Sequence, residues 1–354
     1  MAFSAVPRFI LMALLSSEVF GAPSDRIDLS QVNSVKELSD IMEVKFLDFK
    51  LMYDREYSSP LEEYLRFIYF SQRMVGIEKL NAEKEGNASY GANNMTDWSD
   101  DEIASRRNLK PADLADIRSL PVVDFPAGAV QIPSEVDWRS KNKVTKVKDQ
   151  GSCGSCYTFS TNVAVETGYA IKHNSLRNFS EQQLLDCDSR SSGCNGGWMS
   201  NCLKSIQEKG GIMSAEAYPY KERKGRCNFR ASMKVAEVSQ FAQFRSKDEA
   251  AMARSVASDM GAVPIAINAN NPFMSYKSGV FDPDNSKCSQ ATNAVNHAVA
   301  IVGYGTDETN KDYWIIKNSW GPSWGENGYM RIRRNGNICG MMLTSIILSI
   351  VLIK

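Results

Sequence analysis

Two residues in this chain have the types and spacing for nucleophilic chemistry, Cys156 and His297. Only two histidines occur, His173 and His297, and the second follows Cys156 by 141 residues. A thiol attacks strongly at neutral pH as its thiolate, and an imidazole brought beside it takes the proton. The same ring then hands a proton to a departing amine. A redox or zinc role for the pair Cys153/Cys156 is disfavoured, because no second Cys/His pair has metal-ligand spacing. His173 ends an apolar helical stretch, where a cation is favoured by the helix dipole, and reads as solvated surface.

The elements that position these residues follow from periodicity. A helix is predicted from Cys156 to about Lys172, so the thiol sits where unsatisfied amides and the positive end of the dipole favour an anion. His297 lies at the edge of a predicted strand, Ala298–Tyr304. Further strands are expected over Ala262–Ala269, Tyr313–Lys317 and Tyr329–Arg333. In the last, Met330 and Ile332 alternate with Arg331 and Arg333, as in a half-buried strand. Ser180-Glu181-Gln182-Gln183 is a capping box that opens another helix. Upstream, Met42, Phe46, Phe49 and Tyr53 form one apolar helical stripe. A second helix is expected from Ser59 or Pro60 to about Lys84, with proline in its first turn. No internal repeat is visible.

The 354 residues leave room for two or three domain-sized units, and 43% hydrophobic with 23% charged residues is ordinary for a soluble protein. Arg8 followed by Phe9–Leu15 and Val19-Phe20-Gly21 reads as a secretory signal peptide over residues 1–21, too short to span a bilayer. In a secreted chain the eight cysteines imply disulfides. With Cys156 set aside, seven remain for three bridges and one spare, and six cysteines pair in 15 ways. Asn87, Asn94 and Asn178 each begin a glycosylation sequon. Residues 22–131 hold 13 Lys/Arg against 20 Asp/Glu, a net of −7, whereas residues 132–354 hold 27 against 20, a net of +7. The basic residues are scattered, which argues against nucleic-acid binding. The opposite balances suggest that the first segment is built to lie on the second. Residues 108–131, with Pro111, Pro121 and Pro126, read as an extended, protease-accessible linker. The apolar tail Met341–Ile353 is too short to span a membrane and is expected to form a last buried strand.

The run Cys153-Gly154-Ser155-Cys156-Tyr157, with His297 and Asn318 downstream at the required intervals, resembles the papain-like cysteine proteases, nearest to the cathepsin L group. The block Asn318-Ser319-Trp320-Gly321, followed by Trp324-Gly325, makes the match specific. So do Glu62, Arg66, Phe70, Arg73, Ile77 and Asn81, which are similar to the interspersed pattern of cathepsin L-like propeptides. Gly91, Asn93, Met95 and Asp97 resemble a second propeptide motif. Arg73, Met95 and Tyr157 depart from the commonest family residues. The resemblance runs from about Val44 to about Gly340.

This resemblance implies an α+β, papain-like fold of two halves, mainly helical over 132–240 and β-barrel-like over 241–354, preceded by a helical inhibitory propeptide over 22–131. It implies a zymogen, secreted or lysosomal, that hydrolyses peptide bonds through a Cys156 acyl-enzyme. His297 would be the base and Asn318 would orient it, covered by Trp320. Gln150, with the Cys156 amide, would form the oxyanion hole. Gly196 and Gly197 would pair with an extended substrate, and Trp198, Met199, Ala266, Val295, Ala298 and Thr344 would line the pocket for the second residue before the cut. None of these is charged, so Leu, Phe or Val is expected there. The implied disulfides are Cys153–Cys194, Cys187–Cys227 and Cys288–Cys339, with Cys202 spare. An endopeptidase is expected, because the carboxy-dipeptidase branch needs another histidine. The expected partners are protein and peptide substrates, the chain's own propeptide and cystatin-like inhibitors, acting on a monomer with no cofactor, metal, nucleic acid or membrane span. The alternative is a papain-fold protein that binds or stores without cutting.

Overall fold

The computed structural model describes residue 32 and residues 34–83, 87–110, 120–122, 132–244, 248–284, 287–342 and 347–348. The expected signal peptide, most of the linker and Thr344 lie outside these residues.

Two helices open the described chain. The first, α1 (Val35–Met52), is started by the Ser34 side chain, which accepts from the Glu37 N–H. The second, α2 (Pro60–Glu83), begins with the proline expected for a first turn. Their apolar faces meet through Phe46, Phe49, Phe67 and Phe70, and the Phe46 and Phe70 rings lie 5.3 Å apart. A short third helix, α3 (Asp100–Arg106), carries a complete capping box between Ser99 and Glu102. Arg66 of α2 reaches Glu102 through two hydrogen bonds, at 2.5 and 2.8 Å, tying α3 to the helical pair.

This helical unit docks on the rest of the chain by strand addition. The short strand β1 (Ser89–Tyr90) pairs antiparallel with Tyr276–Ser278. Asn81 holds β1 in place: its amide donates to the Tyr90 carbonyl and its carbonyl accepts the Tyr90 N–H, both at 2.9 Å. Asn93 donates to the Met274 carbonyl at 2.8 Å.

The remainder has a helical half and a sheet half. Helix α4 (Cys156–His173) is buried along most of its length, which is why its sequence shows a weak amphipathic pattern. It packs with α5 (Glu181–Cys187) and α6 (Met199–Lys209). The opposite half centres on a six-stranded sheet. With β2 (Val136–Asp137), β3 (Val263–Ile267), β4 (Val280–Phe281), β5 (His297–Thr306), β6 (Asp312–Lys317) and β7 (Tyr329–Arg333), the strand order is β2-β5-β6-β7-β4, and β3 pairs with β5. Among the described residues the sheet does not close on itself into a barrel, where a β-barrel-like half was expected. Strand β5 is buried through nine of its ten residues, so its sequence is an unbroken apolar run rather than an alternation. Strand β7 alternates buried and half-buried residues, as expected for a strand with one wet face. At the far end Ile347–Leu348 pairs antiparallel with Ala242–Gln243, so the apolar tail contributes a strand. No helix among the described residues is long and apolar enough to cross a membrane.

Candidate active site

The two halves meet where α4 lies against β5, and the Ser160 hydroxyl donates to the Val299 carbonyl at 2.6 Å. Cys156 is the first residue of α4. Its N-cap, Ser155, makes no side-chain cap, and the Cys156 and Tyr157 amides act on the thiol, while the Thr158 N–H is taken by the Ser155 carbonyl at 2.8 Å. Burial pushes the Cys156 thiol up to about 12, against the pull of the Ala298, Tyr157 and Cys156 amides. The Ala298 contribution ties the sulfur to β5, one residue beyond His297.

His297 opens β5 and is fully buried. Its Nε2 lies 2.8 Å from Asn318 Oδ1, which also accepts the Ser319 N–H at 2.8 Å. An amide oxygen only accepts, so Nε2 must carry the proton and Nδ1 keeps its lone pair. That Nδ1 is buried and has no hydrogen-bond partner. The Trp320 ring stacks on the imidazole with centroids 4.5 Å apart, shielding it from water. Burial drives the His297 pKa down to about 3; the Asn318 hydrogen bond opposes this, and the positive charges of Arg106 and Arg107 add to it. Burial thus favours the neutral form of both members of the pair.

Gln150 is buried, and its side chain is fixed at both ends. Its carbonyl accepts from the Ser319 hydroxyl at 2.8 Å, and its amide donates to the Cys153 carbonyl at 2.9 Å and the Arg106 carbonyl at 3.0 Å. Arg106 comes from the N-terminal helical unit. The strip that follows spans the groove where the two halves meet: the Leu109 N–H donates to the Asn296 carbonyl of the sheet half at 3.0 Å, and Asn108 lies over Gly196 of the helical half. Gly196 has φ +98°, and a Cβ there would stand 1.9 Å from the Asn108 carbonyl oxygen, so only glycine fits under the strip.

The other expected site residues are placed as follows. Gly197, Trp198 and Met199 follow Gly196 into α6. Ala266 and Ala298 are register partners across β3 and β5, and Val295 lies two residues before His297. All of these except the two glycines are buried apolar residues. The disulfides join Cys153 to Cys194, Cys187 to Cys227 and Cys288 to Cys339, while Cys156 and Cys202 stay free and buried. Asn87 and Asn178 are exposed. Asn94 is half-buried, and its amide lies 3.5 Å from Asp149 across the boundary between the helical unit and the rest. No group of three or more His, Cys, Asp or Glu residues among the described ones is placed to hold a metal.

Sequence reasoning missed the polar support behind the site. Lys317, beside Asn318, donates to the Thr145 carbonyl at 2.8 Å and hydroxyl at 2.9 Å, and burial lowers its pKa to about 8. Lys148 bridges Glu166 and Glu181 at 2.6 Å each, and Glu166 accepts from Thr145 at 2.5 Å. A lysine within an otherwise apolar strand was the available signal for this network.

The comparisons with known proteins agree with this geometry. Residues 132–348 match the papain family cysteine protease domain, and residues 46–103 match the cathepsin propeptide inhibitor domain. The chain is 40% identical over 311 residues to a protein named cathepsin F from Drosophila melanogaster, covering 86% of this chain and 50% of that protein, so it spans half of that relative's length. It is 35% identical over 318 residues to cathepsin L from Sarcophaga peregrina, covering 86% and 92% of the two chains. The solved structure of digestive procathepsin L 3 from Tenebrio molitor larval midgut superposes with a TM-score of 0.76 at 37% identity, over 86% of this chain and 97% of that one.

Proposed function

Starting from the papain family of cysteine proteases, to which this chain belongs, we propose that it is an endopeptidase in which Cys156 attacks the scissile carbonyl. The chain carries a propeptide inhibitor domain and is therefore a zymogen. In the proposed cycle His297 Nδ1 takes the thiol proton, and the sulfur forms a thioester with the acyl half of the substrate. The imidazolium gives its proton to the departing amine, then activates the water that hydrolyses the thioester. Asn318 keeps Nε2 protonated and the ring in place. The Gln150 amide and the Cys156 N–H stabilise the oxyanion.

The observation that carries this reading is the tautomer. Asn318 holds the proton on Nε2, which leaves a buried, unpartnered lone pair on Nδ1 of the strand whose next amide meets the thiol. The propeptide boundary is proposed near residue 131. The second residue before the cut is proposed to be Leu, Phe or Val, taken by a pocket of Trp198, Met199, Ala266, Val295 and Ala298. Three disulfides support passage through an oxidising compartment, consistent with a secreted or lysosomal monomer open to cystatin-like inhibitors.

The test uses protein matured at acid pH. A thiol-directed epoxide should label Cys156 stoichiometrically and abolish cleavage of Leu-, Phe- and Val-containing peptides, and Cys156→Ala should neither label nor cut. Cleavage that survives in Cys156→Ala overturns the assignment. Faster cutting of peptides with Arg at the second position before the bond than of those with Leu overturns the apolar pocket alone.

A further inference from the structure

Arg106 is a cation placed where the cleft meets the propeptide, and its side chain is completely buried. Its guanidinium pairs with Asp149, the residue immediately before Gln150, and lies 5.0 Å from the Trp98 ring. A second carboxylate backs the first. Glu222 packs on Gly151, lies 3.4 Å from the Ser152 N–H, and adds its negative charge to the field at Arg106. The wall itself is well anchored. The Tyr220 hydroxyl donates to the Gln150 carbonyl at 2.8 Å and meets the Ser155 hydroxyl at 2.6 Å. Asp149 accepts the Gly151 N–H at 2.9 Å.

Two of the groups that engage the Asp149 side chain, Arg106 and Asn94, belong to the propeptide. When the propeptide leaves, the carboxylate loses both while its anchoring to Gly151 stays. The position along the cleft follows from the strip. Asn108 and Leu109 lie over Gly196 and Asn296, on the side proposed to bind the acyl half. Arg106, two residues earlier on the strip, meets the other wall instead: its carbonyl accepts from Gln150 and its guanidinium pairs with Asp149.

We propose that Asp149, backed by Glu222, forms an acidic subsite on the leaving-group side of the cut bond, which takes an arginine or lysine side chain of the peptide substrate in the mature enzyme. This inference rests on the endopeptidase reading. The zymogen fills the subsite with its own arginine, whose planar, permanently charged fork suits a carboxylate.

The experiment measures kcat/KM of the mature enzyme on internally quenched peptides that share Leu at the second position before the cut. They differ at the first and second positions after it, as Arg, Lys, Leu, Gln or Glu. Arg and Lys should exceed Leu by about tenfold at one of these positions, the scale of one charge-assisted contact, and Glu should be poorest. The advantage should shrink in 0.5 M salt, read on the wild type alone. Asp149→Asn, which keeps an acceptor for the Gly151 N–H, should erase it, Glu222→Gln should narrow it, and Asp149→Lys should turn it towards Glu. Epoxide titration gives the concentration of working sites for each variant. Equal rates for Arg, Leu and Glu in the wild type, or an Arg preference that persists in Asp149→Asn, overturn the subsite while leaving the endopeptidase reading intact. Failure to cut any peptide would instead remove that reading.

Discussion

The Gln150 side-chain amide donates to the main-chain carbonyl of Arg106 at 3.0 Å. The donor proposed to stabilise a substrate oxyanion is thus occupied by a carbonyl from the segment between the matched inhibitor domain and the peptidase domain. Replacing Gln150 by Ala should lower kcat of the mature enzyme by about 10²–10³ with a smaller change in KM. The same variant should release its propeptide faster, because the anchor serves both states. Stopped-time cleavage assays and gel-monitored processing measure the two effects, and a rise in KM with kcat unchanged would count against the oxyanion role.

Thiol reactivity should change sharply on maturation. In the zymogen, burial pushes the Cys156 thiol up to about 12 and the His297 imidazole down to about 3, which favours the neutral form of each. Removing the propeptide admits water and takes away Arg106 and Arg107, two charges that oppose an imidazolium. The thiol pKa should then fall and the imidazole pKa rise, favouring the ion pair. Iodoacetamide should alkylate Cys156 at pH 6 roughly a hundredfold faster in the mature enzyme than in the zymogen. Equal rates in the two forms would contradict this account.

Asn318 fixes the tautomer of His297 through the 2.8 Å contact at Nε2. Asn318→Ala frees the ring and lets Nδ1 carry the proton, which removes the base from the thiol. A fall in kcat of about 10- to 100-fold is expected, a part of what a positioned acid–base group supplies. KM should move little, since the side chain is buried behind the imidazole. Steady-state kinetics on a single peptide decide the matter.

Acid should loosen the propeptide from within rather than mainly at its boundary. The opposite net charges of the two segments suggested boundary pairs between propeptide carboxylates and the mature surface, and Lys287–Glu83 is one. Arg106–Asp149 crosses the same boundary with reversed polarity. Arg66–Glu102, Arg55–Asp97 and Arg73–Asp100 stay inside the propeptide. At Glu102 burial pushes the pKa up, but the hydrogen bonds from Arg66 and Ser99 prevail and hold it below its ordinary 4.5. A depressed carboxyl pKa stabilises the fold above the unfolded value and ceases to do so as pH falls through the folded one. Propeptide release should therefore accelerate as pH drops below about 4.5. Glu102→Gln should release faster at pH 6 and show a flatter pH profile, both readable by following processing on gels. A profile as steep as the wild type's would show that another group sets it.

Much of this architecture was legible because local signals agreed. Helix α4 begins at Cys156, where the sequence placed it, and α2 begins at Pro60 because proline fits a first turn. The strand at Tyr329–Arg333 was readable from its alternation. Strand β5 starts at His297, one residue earlier than expected, because β3 pairs with it there. Strand β2, two residues long, was invisible, since it has no period to read and exists only by pairing with β5. The Lys148, Glu166, Glu181 and Lys317 network joins residues far apart in sequence, so no window could reveal it. Arg106 and Asp149 escaped for the same reason: each sits in an unremarkable polar stretch, and only the docking of one unit on the other joins them.

Strand addition between Ser89–Tyr90 and Tyr276–Ser278 survives a cut anywhere in the linker. Severing the backbone beyond residue 110 should turn a tethered clamp into a two-chain complex. Activation is then governed by dissociation, and so by dilution and by whatever digests the liberated fragment. A concentrated store of processed enzyme should therefore stay quiet until it is diluted.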